Sequence, residues 1–116
     1  MKILLVDDAE PMRDLLGRVL ASLGHEVVAL GSGREVPAAL EAVPFDVVFT
    51  DVAMPDCSGW EVLAAVRQRR PGLPVVLVTG WSDADGGPDG LVPDAVLDKP
   101  FGLDRVRQVL EAVSRR

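Results

Sequence analysis

Five short runs of apolar residues constrain this chain more than any other feature: Ile3-Leu4-Leu5-Val6, Val27-Val28-Ala29-Leu30, Val47-Val48-Phe49, Val75-Val76-Leu77-Val78 and Ala95-Val96-Leu97. They are continuous rather than alternating and rich in β-branched side chains. A strand of this kind is apolar on both faces, so it belongs in a parallel sheet covered by helices on both sides. The spacers supply those helices. From Met12 the residues Leu15, Leu16, Val19, Leu20 and Leu23 recur at helical offsets, with Pro11 near the start and Gly24 just past the end. Val36, Ala39, Leu40 and Val43 repeat the pattern more weakly. Trp60, Leu63, Ala64 and Arg67 lie along one side of a third helix, whose apolar face Val62 and Val66 widen. Leu103, Val106, Val109, Leu110 and Val113 form the last. The order β-α-β-α-β-α-β-(loop)-β-α is that of a doubly wound α/β domain with a five-stranded parallel sheet.

One connection breaks the rhythm. Of the fourteen positions from 80 to 93, six are breakers (Gly80, Gly86, Gly87, Pro88, Gly90 and Pro93). An interior Gly costs a helix about 1 kcal/mol relative to Ala and a Pro about 3. The fourth helix is therefore expected to be shortened or replaced by a loop. The total of 116 residues suits one domain, over 1–116, with no room for a second. Eighteen acids against twelve bases, a net charge of -6, argue against sequence-independent contact with nucleic acid. No run reaches membrane-spanning length, and Asp7 and Asp8 interrupt the first apolar run too early for a secretion signal. The single cysteine, Cys57, makes no internal disulfide. The expectation is a soluble cytoplasmic protein.

Ligands of open parallel sheets bind beyond the carboxyl ends of the strands. Asp7 and Asp8 follow the first run, Thr50 and Asp51 the third, Thr79 and Gly80 the fourth, and Asp98, Lys99 and Pro100 the fifth. Any one of these alone reads as a cap or turn residue. Together Asp7, Asp8 and Asp51 would repel one another unless a hard divalent cation with oxygen ligands held them, and Mg²⁺ fits, with Mn²⁺ as substitute. A carboxylate beside such an ion is a nucleophile for phosphorus, and Thr79 and Lys99 are placed to bind phosphoryl oxygens. Lys99 is one of only two lysines in a chain with ten arginines. His25 lies before the second run, away from this edge. The arginines at 67, 69 and 70, and those at 115 and 116, complement negative helix C-termini.

With Leu4-Leu5-Val6-Asp7-Asp8, Asp51-Val52-Ala53-Met54-Pro55-Asp56-Cys57-Ser58-Gly59, Val78-Thr79-Gly80 and Leu97-Asp98-Lys99-Pro100-Phe101 in this order, the chain resembles the response-regulator receiver domain of two-component signalling. The resemblance spans nearly the whole chain. It implies a flavodoxin-like fold with strand order 2-1-3-4-5. It implies Asp51 as phosphoacceptor, Asp8 as a direct Mg²⁺ ligand with Asp7 acting through water, and the Ala53 main-chain carbonyl as a further ligand. Thr79, Lys99 and the backbone N–H groups of Ala53 and Gly80 would contact the phosphoryl group, and Pro100 would follow a cis peptide. The implied donor is a histidine kinase or phosphotransfer protein, or a small molecule such as acetyl phosphate. The implied output is a separate downstream protein target, with no direct nucleic-acid or membrane partner.

The sequence also departs from the family pattern. Where receivers carry a switch aromatic three places before the lysine, this chain has Val96, and it contains no Tyr. The missing helix suggests that phosphorylation orders or repositions residues 80–93. Trp81 stands where a family side chain influences access to the phosphoryl group, and it serves equally as a cover for the loop. Ala53 offers no side chain to position water, so slow dephosphorylation is expected. Two other readings are a pseudo-receiver that binds partners without phosphorylation, and an aspartate-nucleophile phosphatase. The phosphatase would need a second Asp where Ala53 stands. No calcium loop, dinucleotide fingerprint, P-loop or nucleophile elbow is present.

Overall fold

The computed structural model describes residues 1–80 and 90–114. Its elements are β1 (Lys2–Val6), α1 (Glu10–Ser22), β2 (Glu26–Leu30), a single 3₁₀ turn (Gly33–Glu35), α2 (Val36–Ala42), β3 (Val47–Asp51), α3 (Gly59–Arg69), β4 (Val75–Thr79), β5 (Ala95–Asp98) and α4 (Leu103–Ser114). All strand pairs are parallel and the sheet order is β2-β1-β3-β4-β5. The chain reverses direction of travel at β1, so β1 and β3 are the central neighbours at the switch point. Among the described residues no helix stands between β4 and β5, in keeping with the breaker-rich sequence. Trp81 and most of the 80–93 segment lie outside the described residues.

Alternation along the strands divides the core. Leu4, Val6, Val48, Val75 and Leu77 pack with Val36 and Leu40 of α2 and Val62, Leu63 and Val66 of α3. Ile3, Leu5, Val47, Phe49, Val76, Val78 and Leu97 face the other way, onto Leu16 and Leu20 of α1 and Val106, Val109, Leu110 and Val113 of α4. Each such side chain contributes about 1.5–3 kcal/mol of transfer free energy when fully buried. The stripe α3 buries centres on Val62, Leu63 and Val66; Trp60 is only half-buried.

Local signals set the helix ends. Gly24 has φ +92°, Gly24 N–H donates to Ala21 O (3.0 Å) and His25 N–H to Leu20 O (3.3 Å), closing α1 in a left-handed cap that suits glycine. Ser58 Oγ accepts from Glu61 N–H at the start of α3 (3.3 Å). The arginines assigned from sequence to helix-end charge have specific partners. Arg67 donates to Leu73 O (3.1 Å), Val92 O (3.0 Å) and Asp94 Oδ2 (2.8 Å), while Asp94 Oδ2 also accepts from Val75 N–H (2.7 Å). This clamp ties the end of α3 to the entry of both β4 and β5. Arg69 pairs with Glu41, and Arg70 donates to Leu40 O, joining α3 to α2.

Candidate functional site

Three strand ends build the site. Asp51 is the last residue of β3, Asp7 and Asp8 directly follow β1, and Lys99 directly follows β5. Asp51 continues the parity of Val47 and Phe49, Asp7 that of Ile3 and Leu5, and Lys99 that of Ala95 and Leu97, so all three stand on the α1/α4 side of the sheet. Asp7 and Asp51 are buried and Asp8 is exposed. Carboxylate oxygens of Asp7, Asp8 and Asp51 lie within 4.8 Å of one another. Lys99 Nζ donates to Asp51 Oδ1 at 2.9 Å.

Burial is the main cause that raises the Asp7 carboxyl above its ordinary value. A hydrogen bond from Ala9 N–H (2.9 Å) opposes this, the negative charge of Asp51 adds to it, Lys99 opposes it and Asp8 adds to it. The backbone around Asp7 is fixed by Asp7 N–H to Leu30 O (3.1 Å) and by Arg13, whose guanidinium donates to Asp7 O (2.8 Å). An all-oxygen set with one lysine inside it suits a hard divalent cation. Within the same set Asp51 is the carboxylate that the Lys99 ammonium partly neutralises.

Thr79 ends β4 and is buried, but its hydroxyl is directed elsewhere. It shares parity with Val75 and Leu77, on the α2/α3 side, and Thr79 Oγ1 donates to Asp98 Oδ1 (3.3 Å), its cross-strand neighbour on β5. Lys99 N–H donates to Thr79 O (2.7 Å), which joins the two strand ends. Ala53 is exposed and Gly80 half-buried beside the acidic edge. The Lys99–Pro100 peptide is cis. Val96 is half-buried opposite Leu77 on β4, and its carbonyl accepts from Arg105 (3.2 Å).

Two residues gain roles that the sequence did not single out. A Cβ on Gly59 would sit 2.5 Å from Asp51 O and 2.8 Å from Val52 Cα, so α3 starts in backbone contact with the phosphoacceptor candidate's own peptide. Asp98 partners Thr79. Gly59 was visible as part of the motif after Asp51, but its contact depends on how closely the helix returns to the strand.

The sequence profile described as "Response regulator receiver domain" matches residues 3–111. The chain belongs to the response regulator receiver domain family. This receiver is 39% identical to the transcriptional regulatory protein TcrA of Mycobacterium tuberculosis over all of its length and 47% of TcrA. It is 36% identical to the DNA-binding transcriptional regulator NtrC of Salmonella typhimurium, over 91% of this chain and 23% of NtrC. The receiver thus spans about half or less of the curated relatives it matches. Among solved structures, chemotaxis protein CheY4 of Vibrio cholerae superposes with a TM-score of 0.85, 28% identity and 97% coverage of both chains. Response regulator TrrA of Thermotoga maritima, in complex with Mg²⁺ and BeF, gives 0.87 at 27% identity, again with 97% of both chains covered. Among the described residues no helix is long and apolar enough to cross a membrane.

Proposed function

We propose that this receiver, taken as one domain over residues 1–116, is a phosphoacceptor whose nucleophile is Asp51. The observation that carries the reading is Lys99 Nζ lying 2.9 Å from Asp51 Oδ1 beside two further carboxylates. A carboxylate oxygen of Asp51 forms a bond to phosphorus as the donor's P–N bond (phosphohistidine) or P–O bond (acetyl phosphate) breaks, and the leaving group departs with the electron pair. Asp7, Asp8 and Asp51, with the Ala53 carbonyl, would hold Mg²⁺ or Mn²⁺. The ion supplies charge neutralisation for an anionic nucleophile meeting an anionic phosphoryl group. Lys99 holds the Asp51 carboxylate and offers its ammonium to a phosphoryl oxygen; Thr79 and the backbone N–H groups of Ala53 and Gly80 offer further donors. Ala53 brings no side chain to orient an attacking water, which favours a long-lived adduct.

The partners follow from this chemistry: a histidine kinase or phosphotransfer protein as donor, and a protein surface or output domain as recipient of the signal. Two of its relatives are named as transcriptional regulators. In a longer polypeptide of that kind this acidic domain is the input, and nucleic acid is contacted elsewhere. Incubation with Mg²⁺ and acetyl phosphate, followed by Phos-tag electrophoresis and hydroxylamine treatment, tests the reading with Asp51→Asn as control. A stoichiometric, hydroxylamine-labile adduct absent from the variant supports the phosphoacceptor. No adduct supports a pseudo-receiver, and multiple turnover of phosphate esters supports a phosphatase.

A further inference from the structure

Thr79 lies on the opposite side of the sheet from the Asp51–Lys99 pair. Asp7, Asp51 and Lys99 continue the strand parity that faces α1 and α4, whereas Thr79 and Asp98 share the opposite parity and are paired in register at the ends of β4 and β5. The Thr79 hydroxyl donates to Asp98 Oδ1 at 3.3 Å. That is long for a hydroxyl bonded to a carboxylate, where 2.5–2.7 Å is usual. Such a bond adds little stability and is readily exchanged; what it decides is where the hydroxyl proton points. No Tyr exists in the chain, and Val96, two residues before Asp98 on the same face of β5, has no polar atom in its side chain. Asp98 is thus the side-chain acceptor that the structure gives to Thr79.

We propose that Asp98 is a positioning residue for phosphorylation: it holds the Thr79 hydroxyl away from the Asp51–Lys99 pair and gives it up when Asp51 carries a phosphoryl group. This rests on the phosphoacceptor reading above. The energetics are those of a competition. A phosphoryl oxygen must offer the hydroxyl a better acceptor than Asp98 does, and the fraction of molecules with Thr79 held by Asp98 lowers the apparent affinity for the phosphorylated form or its mimic. Asp98 is exposed, so replacing it leaves no cavity and no orphaned buried partner except the hydroxyl itself.

The test is the affinity for Mg²⁺ and beryllofluoride, measured by titration calorimetry on the full chain. Asp98→Ala frees the hydroxyl and is expected to tighten binding about two- to fivefold, the lower part of the range of a single hydrogen bond's net contribution, as suits a bond this long. Asp98→Asn keeps an acceptor without the charge and should stay near the parent value. In a Thr79→Ala background Asp98→Ala should have no effect. Equal affinities for parent and Asp98→Ala overturn the proposal. So does an effect that Asp98→Asn reproduces in full or that persists without the Thr79 hydroxyl, because either outcome assigns it to charge alone. A parent that binds no beryllofluoride and forms no adduct with acetyl phosphate instead overturns the phosphoacceptor reading beneath it.

Discussion

Lys99 reaches across the end of β4 to place its ammonium 2.9 Å from Asp51 Oδ1, with Asp51 almost fully buried and Lys99 partly open to solvent. The ion pair joins β5 to β3, strands that are not neighbours in the sheet. It sets one positive charge against a cluster of three carboxylates.

Lys99→Met keeps the length of the side chain and removes the charge, and two opposite effects are expected. Affinity for Mg²⁺ should tighten about tenfold, because two unit charges about 4 Å apart interact by roughly 1–4 kcal/mol between bulk-water and near-surface screening. Phosphorylation by acetyl phosphate should nonetheless slow by at least about tenfold, since a donor to the transferring group is gone. Titration calorimetry and a time course of adduct formation measure the two. Weaker Mg²⁺ binding in the variant would show that Lys99 supports the acidic cluster rather than competing with the cation.

Gly59→Ala should destabilise the fold by about 1–3 kcal/mol in urea denaturation, the range for inserting a methyl where no space exists. The added carbon would meet backbone atoms, Asp51 O at 2.5 Å and Val52 Cα at 2.8 Å, which have no alternative rotamer to adopt. Gly72→Ala, where nothing lies within 4 Å, is the control and should be near neutral or better. Equal stabilities for the two variants would contradict the tight contact between α3 and β3.

Arg67→Met should cost on the order of 2–3 kcal/mol, somewhat below the value for breaking a fully buried pair because Arg67 keeps some solvent contact. The loss arises from Asp94, whose side chain stays buried and loses the guanidinium that pairs with it, while it still accepts from the Val75 N–H. Asp94→Asn in the same background should recover part of it. Additive losses in this double-mutant cycle would show that the two residues do not act together.

Cys57 packs under Gly33 and against α3, and burial followed by the neighbouring Glu61 pushes its thiol up to about 11. The thiolate fraction near neutral pH is then roughly a hundredfold below that of an ordinary cysteine, and reaction with a disulfide reagent should slow by about that factor. Unfolding in urea should restore the ordinary rate. A fast-reacting thiol in the folded protein would rule out this packing.

His25 is half-buried, with Nδ1 2.9 Å from the N-terminal ammonium. Burial first, and that positive charge second, lower its affinity for a proton below the ordinary value of 6.5. The folded state therefore favours neutral imidazole. Its contribution to stability is present above about pH 6.5 and is lost as pH falls through the depressed folded value. Urea midpoints at pH 7.5 and 5.5 should fall more in the parent than in His25→Asn. An equal fall in both would remove His25 from the acid sensitivity.

Most of the fold was legible because its strands are apolar on both faces and its helices on one. The runs at 3–6, 27–30, 47–49, 75–78 and 95–97 all lie in strands. Strand order was not encoded in those patterns and came from the family resemblance. The acidic cluster and Lys99 were legible because the ends of parallel strands converge. Harder to read were the pairings that depend on register across the sheet. Thr79 was expected to contact the phosphoryl group; its place opposite Asp98 follows from the β4–β5 alignment, which the apolar pattern does not encode. Arg67 looked like one of several helix-end cations, and only the return of residues 92–94 against α3 gives it Asp94.

The central claim is that Asp51 itself accepts the phosphoryl group, and borohydride reduction followed by peptide mass spectrometry tests it most directly. An acyl phosphate on aspartate is reduced to homoserine, which marks the acceptor residue. After incubation with Mg²⁺ and acetyl phosphate, the account predicts homoserine at position 51 and at no other acidic residue, dependent on the divalent ion. Homoserine at Asp7, Asp8 or Asp98, or none despite a folded protein with bound Mg²⁺, would contradict it.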